Sequence, residues 1–178
     1  MDKIVEYMIN REWTDDIKSE RKSYLFKLAQ NSCKKSDISN KIGAMLIYNQ
    51  LIEEFLKDIV EYSINYIKAE IWPASIQLSL DLSRFTFGKL INSFEQYATI
   101  EPNREIILEY LKKYAVKRNE VVHNLFNIED LDKLSSELDE YALLADEITD
   151  LLVEYDNSIC EKFCDLDNRV DFNCFADL

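Results

Sequence analysis

The sequence predicts an all-α bundle of five to six helices, and three observations carry that prediction. Only two glycines and two prolines occur in 178 residues, which leaves little punctuation for tight hairpins. Leu, Ile, Glu and Lys are abundant, a composition that favours helices over sheets. Apolar residues recur at helical spacing through three long stretches, 37–71, 103–126 and 128–155. A chain of this length suits one domain with its own core, without disulfides or metals. That domain is expected to span 1–178, with 165–178 as an irregular acidic tail.

Taken in order, Met1 to Arg11 reads as a short amphipathic segment. Thr14, followed by Asp15 and Asp16, has the form of an N-cap with acids in the first turn. The helix that follows is expected to reach Gln30 and to bury Ile17, Tyr24, Leu25 and Leu28, before a polar break over 31–35. Ser36 or Asp37 then caps the long 37–71 helix. Its stripe (Ile38, Ile42, Met45, Ile52, Phe55, Leu56, Ile59, Ile64, Ile67) is widened by Leu46, Ile47, Leu51, Val60 and Tyr66. So broad an apolar surface puts this helix at the bundle centre or against a second subunit. Trp72-Pro73 ends it, because proline lacks a donor and disfavours helix in the residue before it.

The stretch 74–81 alternates briefly but has no strand to pair with, so it is a connector. A shorter helix over 83–98 carries Phe85, Phe87, Leu90, Ile91 and Phe94. Glu101-Pro102-Asn103 opens the next helix, where proline suits the first turn. Asn127 is the expected N-cap of the last helix. Its stripe is Leu131, Leu134, Leu138, Tyr141, Leu144, Ile148, Leu151 and Leu152.

The net charge of −13 is unevenly placed: residues 1–127 hold 18 basic and 18 acidic side chains, and residues 128–178 hold 3 and 16. Such acidity disfavours non-specific nucleic-acid binding, whose affinity comes mainly from neutralised phosphates. Lys112, Lys113, Lys117 and Arg118 nonetheless gather cations on one helix. The four cysteines (Cys33, Cys160, Cys164, Cys174) fit no zinc spacing and read as reduced thiols in a core. No stretch approaches the roughly 18 apolar residues of a membrane span, and acids stand too early for a signal peptide. A cytoplasmic protein with no membrane contact is the expectation. No Gly-rich phosphate loop, metal-binding acidic pair or nucleophile beside a base is evident, so no metal or cofactor is expected.

The most informative stretch is Tyr110 to Phe126, YLKKYAVKRNEVVHNLF, which contains the single histidine, His123. At about 100° per residue, Arg118 falls near the middle of the apolar side. Asn119 and His123, four apart, are neighbours at its border. A charge taken out of water must be paired, so an arginine at that place needs a partner. Arg118 to His123 resembles the R-x(4–6)-H motif of the HEPN superfamily, including the polar residue that family often sets directly after the arginine.

The resemblance implies a compact helical bundle that forms a two-fold homodimer. It also implies a metal-independent endoribonuclease, as many toxins and defence effectors of that superfamily are, or a member that has lost activity and binds partner proteins. RNA, not DNA, is then the substrate, and a cognate antitoxin or nucleotidyltransferase is a candidate partner. The residue chemistry agrees. His123 is suited to moving the 2′-hydroxyl or leaving-group proton, and Arg118 to holding the scissile phosphate. Asn119 is placed to orient the imidazole or bind a phosphate oxygen. Tyr114 is a candidate to stack on a base, beside Lys113 and Lys117 as RNA contacts. Residues five apart point about 140° away from each other, so Arg118 of one chain would meet His123 of another across a two-fold axis. The plainer alternative is a histidine that caps a helix end and an arginine that bridges Glu53, Glu54 or Glu61 inside the bundle.

Overall fold

The computed structural model describes residues 15–71, 78, 80–100, 103–125 and 130–169. Five α-helices and one 3-10 turn account for most of them, and no strand occurs among the described residues. The helices are α1 (Asp15–Cys33), α2 (Ile38–Glu70), α3 (Phe87–Tyr97), α4 (Arg104–Leu125) and α5 (Leu131–Arg169), with the 3-10 turn Leu82–Arg84 before α3. The expected segment Met1–Arg11, the Thr14 cap, Trp72-Pro73, Pro102, Asn127 and residues 170–178 lie outside the described residues.

The wide apolar stripe of α2 places it at the bundle centre, in contact with α1, α3 and α5, while α4 lies on α3 and α5. Ala44, Tyr48, Leu51, Ile52, Leu56, Ile59 and Val60 are all removed from water. Burying a side chain of this size contributes about 1.5–3 kcal/mol, so α2 is the main source of cohesion. Of the two candidate caps it is Asp37 that acts, accepting from the Asn40 amide at 3.3 Å.

Five expectations need correction. On α1, Tyr24 and Leu28 are exposed; the helix turns Ala29 inward instead, with Leu25, Phe26 and Cys33 partly buried. It also runs through the expected polar break to Cys33. The helix expected over 83–98 is split: a 3-10 turn capped by Asp81 is followed by α3, which begins only at Phe87. The last helix begins at Leu131, where Asp130 accepts from the amides of Asp132 and Lys133, and Leu131 itself is exposed. It extends to Arg169, so residues 165–169 of the expected irregular tail are helical. Tyr155 and Ile159 continue its buried stripe beyond the expected set.

The approach to α4 is held by side chains. Asn103 takes a left-handed conformation (φ 80°), which asparagine tolerates better than most residues. Arg104 donates to the carbonyls of Ala98 and Glu95, and the Ile100 amide donates to the Tyr155 hydroxyl at 3.1 Å. These bonds fix where α4 begins, and hence where its polar residues stand.

Candidate functional site

The inner side of α4 is closed. Ile107, Leu111, Tyr114 and Val121 are fully buried. The Tyr114 ring packs on Phe87 (centroids 5.6 Å apart) and on Tyr141 (5.0 Å). Its hydroxyl donates to Asn49 Oδ1 at 3.0 Å, and the Tyr141 hydroxyl donates to the Tyr114 oxygen. Since each hydroxyl has one hydrogen, the order Tyr141 to Tyr114 to Asn49 satisfies all three groups. Burial holds both phenols above the usual tyrosine range. Tyr114 therefore presents no face to a nucleobase: the expected stacking residue is a core residue.

One turn later stands Arg118, half-buried as its wheel position required. Its guanidinium lies 5.3 Å from the Phe87 ring centroid and its Nη2 is 3.5 Å from Glu53 Oε1. Of the three glutamates considered as partners, Glu53 is the one engaged. The apolar surface around Arg118 is occupied within the chain by Phe87 and the buried α4 residues.

The other cations of the helix are likewise matched by acids. Lys112 meets Glu95 (3.2 Å), Lys113 meets Glu109 (2.7 Å) and Lys117 meets Glu140 of α5 (2.7 Å). The basic cluster seen in the sequence is thus matched acid by acid, from α2, α3, α5 and α4 itself. Lys113 and its partner Glu109 are both well exposed. Pairs this open to water contribute little to stability and exchange readily.

The outer side is different. Asn119 and His123 are both exposed, one turn apart, and neither forms a hydrogen bond or ion pair with the described residues. Their neighbour Asn124 is committed to Glu137 at 2.8 Å. The structure therefore brings Asn119 and His123 together on one open face and sets Arg118 half-buried between that face and the closed one.

Sequence reasoning missed two polar assemblies. Buried Lys41 of α2 reaches Asp139 (2.6 Å) and Ser135 (2.7 Å), and nearby Tyr48 donates to Asp146. Lys41 interrupts an apolar stripe just as Arg118 does, and that signal was available. The second is a cavity of about 830 Å³ between α1, α2 and α5, floored by Phe26, Phe55 and Ile159. On its wall Lys22 pairs with Asp58 at 2.6 Å and lies 4.1 Å from the Phe55 ring centroid. Asp156 Oδ1 is buried there without a partner, and burial raises its carboxyl pKa.

Of the cysteines, Cys33 is half-buried and Cys160 is exposed; Cys174 and the Cys164 side chain are outside the described set. Burial, reinforced by Asp146 and Asp139, pushes the Cys33 thiol up to about 11. No described helix is long and apolar enough to cross a membrane. No family model, curated protein or solved structure matches the chain.

Proposed function

We propose that this chain is a metal-independent endoribonuclease of HEPN type, with His123 as acid–base and Arg118 on the phosphate. The observation that carries this reading is the contrast along α4. Every cation near the motif is paired with an acid, whereas the single histidine and the amide one turn before it are held open to solvent. On a helix whose cations are all matched by acids, Asn119 and His123, unpaired among the described residues, are the side chains free to meet a substrate. In water it can take the 2′-hydroxyl proton of a bound RNA and return one to the departing 5′-oxygen. Asn119 is within a turn of it, to steer the imidazole or hold a phosphate oxygen.

Arg118 points about 140° away from His123 on an ideal helix, so one chain does not bring both to the same phosphate. Two chains that share the site across a two-fold axis supply the missing half. Arg118 then reaches the phosphate past Phe87, releasing its 3.5 Å contact with Glu53. RNA incubated with the protein in EDTA should yield 2′,3′-cyclic phosphate ends. Arg118→Ala and His123→Ala chains, each inactive alone, should recover part of the activity when mixed. Activity in neither the mixture nor the wild type would end the proposal.

The second reading is a non-catalytic module that binds a partner protein or a second copy. It is favoured by the acids matched to Lys112, Lys113 and Lys117, Glu140 of α5 among them, which offset the cations an RNA strand would need. RNA left uncut in EDTA and with added Mg²⁺ or Mn²⁺ would select it.

A further inference from the structure

We propose that Glu53 is a built-in competitor for the anion that Arg118 holds, so that the site takes a phosphodiester by exchanging one carboxylate for one phosphate. The identity of the anion rests on the endoribonuclease reading; the competition rests on geometry. The Phe87 ring lies 5.3 Å from the Arg118 guanidinium, and Glu53 Oε1 approaches Nη2 at 3.5 Å. One contact of that length leaves most of a five-donor fork unused. Both side chains keep access to water, at 31% and 29% exposure, so an incoming anion has a route to the pair.

The surroundings make the exchange specific to this pair. Glu53 lies one turn beyond Asn49 on α2, and Asn49 is tied to Tyr114 and Tyr141. The carboxylate therefore stands on the most deeply buried helix of the bundle. The neighbouring Glu54 is engaged by Arg21 at 3.2 Å, and Lys112, Lys113 and Lys117 each have their own acid. Glu53 occupies Arg118 as a phosphate would, with one charged oxygen near the fork. Removing its charge should leave the arginine uncompensated without disturbing the tyrosine chain.

Two quantities follow. A half-open ion pair is weak, so loss of the competitor should tighten anion binding by no more than about five-fold. The salt dependence should also change. When phosphate replaces Glu53 the freed carboxylate regains a counterion, which cancels the one that the phosphate sheds. Without that carboxylate one more counterion is released, which steepens the slope of log K against log salt by about 0.7 for a single strand. A purely structural role for Glu53 would not alter that slope.

The test is binding of a short 2′-O-methyl oligoribonucleotide, which carries phosphodiesters but no attacking hydroxyl, measured by fluorescence anisotropy over a range of NaCl. The proteins are wild type, Glu53→Gln, Arg118→Gln and the double variant. Glu53→Gln should bind up to about five-fold tighter with the steeper slope, and Arg118→Gln should abolish the gain in the double variant. Wild-type affinity and slope in Glu53→Gln would overturn the proposal. So would a gain that survives without Arg118, or no binding by any of the four. Should Glu53→Gln fail to fold, Glu53→Asp shortens the carboxylate and should show a smaller gain in the same direction; no gain there overturns it equally. Because the probe cannot be cut, the expected gain with natural RNA left intact keeps the competitor and removes the nuclease, and the converse pattern does the reverse.

Discussion

The two sides of α4 are built on opposite terms. On the inner side Tyr114 is sealed from water, and both hydroxyls and the Asn49 Oδ1 of the Tyr141–Tyr114–Asn49 chain have partners. On the outer side Asn119 and His123 have no partner among the described residues. Buried polar groups must be satisfied because the interior supplies no water to replace a missing bond. Exposed groups carry no such requirement, and their types are free to answer to chemistry. The difference teaches which residues of one motif helix belong to folding and which are open to function. Arg118 stands between them, half-buried and loosely paired.

The contrast can be broken hardest at Tyr114. Tyr114→Ala should cost about 3–5 kcal/mol, because it leaves a large cavity between Phe87 and Tyr141. Urea unfolding followed by circular dichroism would measure it, and a loss under about 1 kcal/mol would mean that the inner side is not closed. Tyr114→Phe keeps the ring and removes the hydroxyl, leaving Asn49 to Tyr141 alone; about 1–2 kcal/mol is expected from the same measurement.

The buried phenols also predict a pH response. Tyr114 and Tyr141 hold their protons more tightly folded than unfolded, where the ordinary value is 10.0. Their contribution is complete below that pH and is lost as pH rises above it, so the bundle should weaken in alkali. In Tyr114→Phe that weakening should be shallower, since one of the buried phenols is gone while Tyr48 and Tyr141 remain. Tyrosinate absorbance should show the Tyr114 and Tyr141 hydroxyls titrating only with unfolding; early titration of both would contradict their burial. The smallest effect is expected on the outer surface: Glu140→Gln, which breaks the pair with Lys117, should change stability by less than about 1 kcal/mol.

How much of this was legible in the sequence depends on how each element is buried. The long α2 was legible because its stripe is wide and capped by an acid, and Arg118 because a charge on an apolar side is anomalous. The inward face of α1 was not: Tyr24 and Leu28 give a plausible stripe, yet the helix buries Ala29 and half-buries Phe26. Large apolar residues are tolerated at surfaces, so hydrophobicity alone cannot choose between two weak stripes. The start of α5 was misplaced because Asn127 and Asp130 are both chemically competent caps, and it is the Asp130 carboxylate that meets the Asp132 and Lys133 amides. At the site, the pairing of Arg118 with a glutamate was foreseeable. The burial of Tyr114 behind Phe87 depends on how α3 crosses α4, which no local pattern records.

The central claim is that the open side of α4 serves chemistry and not stability. Its most direct test is the initial rate of RNA cleavage in EDTA by His123→Ala relative to wild type, at a temperature where dichroism shows both folded. A fall on the order of 10²-fold with unfolding midpoints in urea unchanged is the expected result. Cleavage at the wild-type rate, or a loss of activity that only tracks a loss of fold, would contradict it.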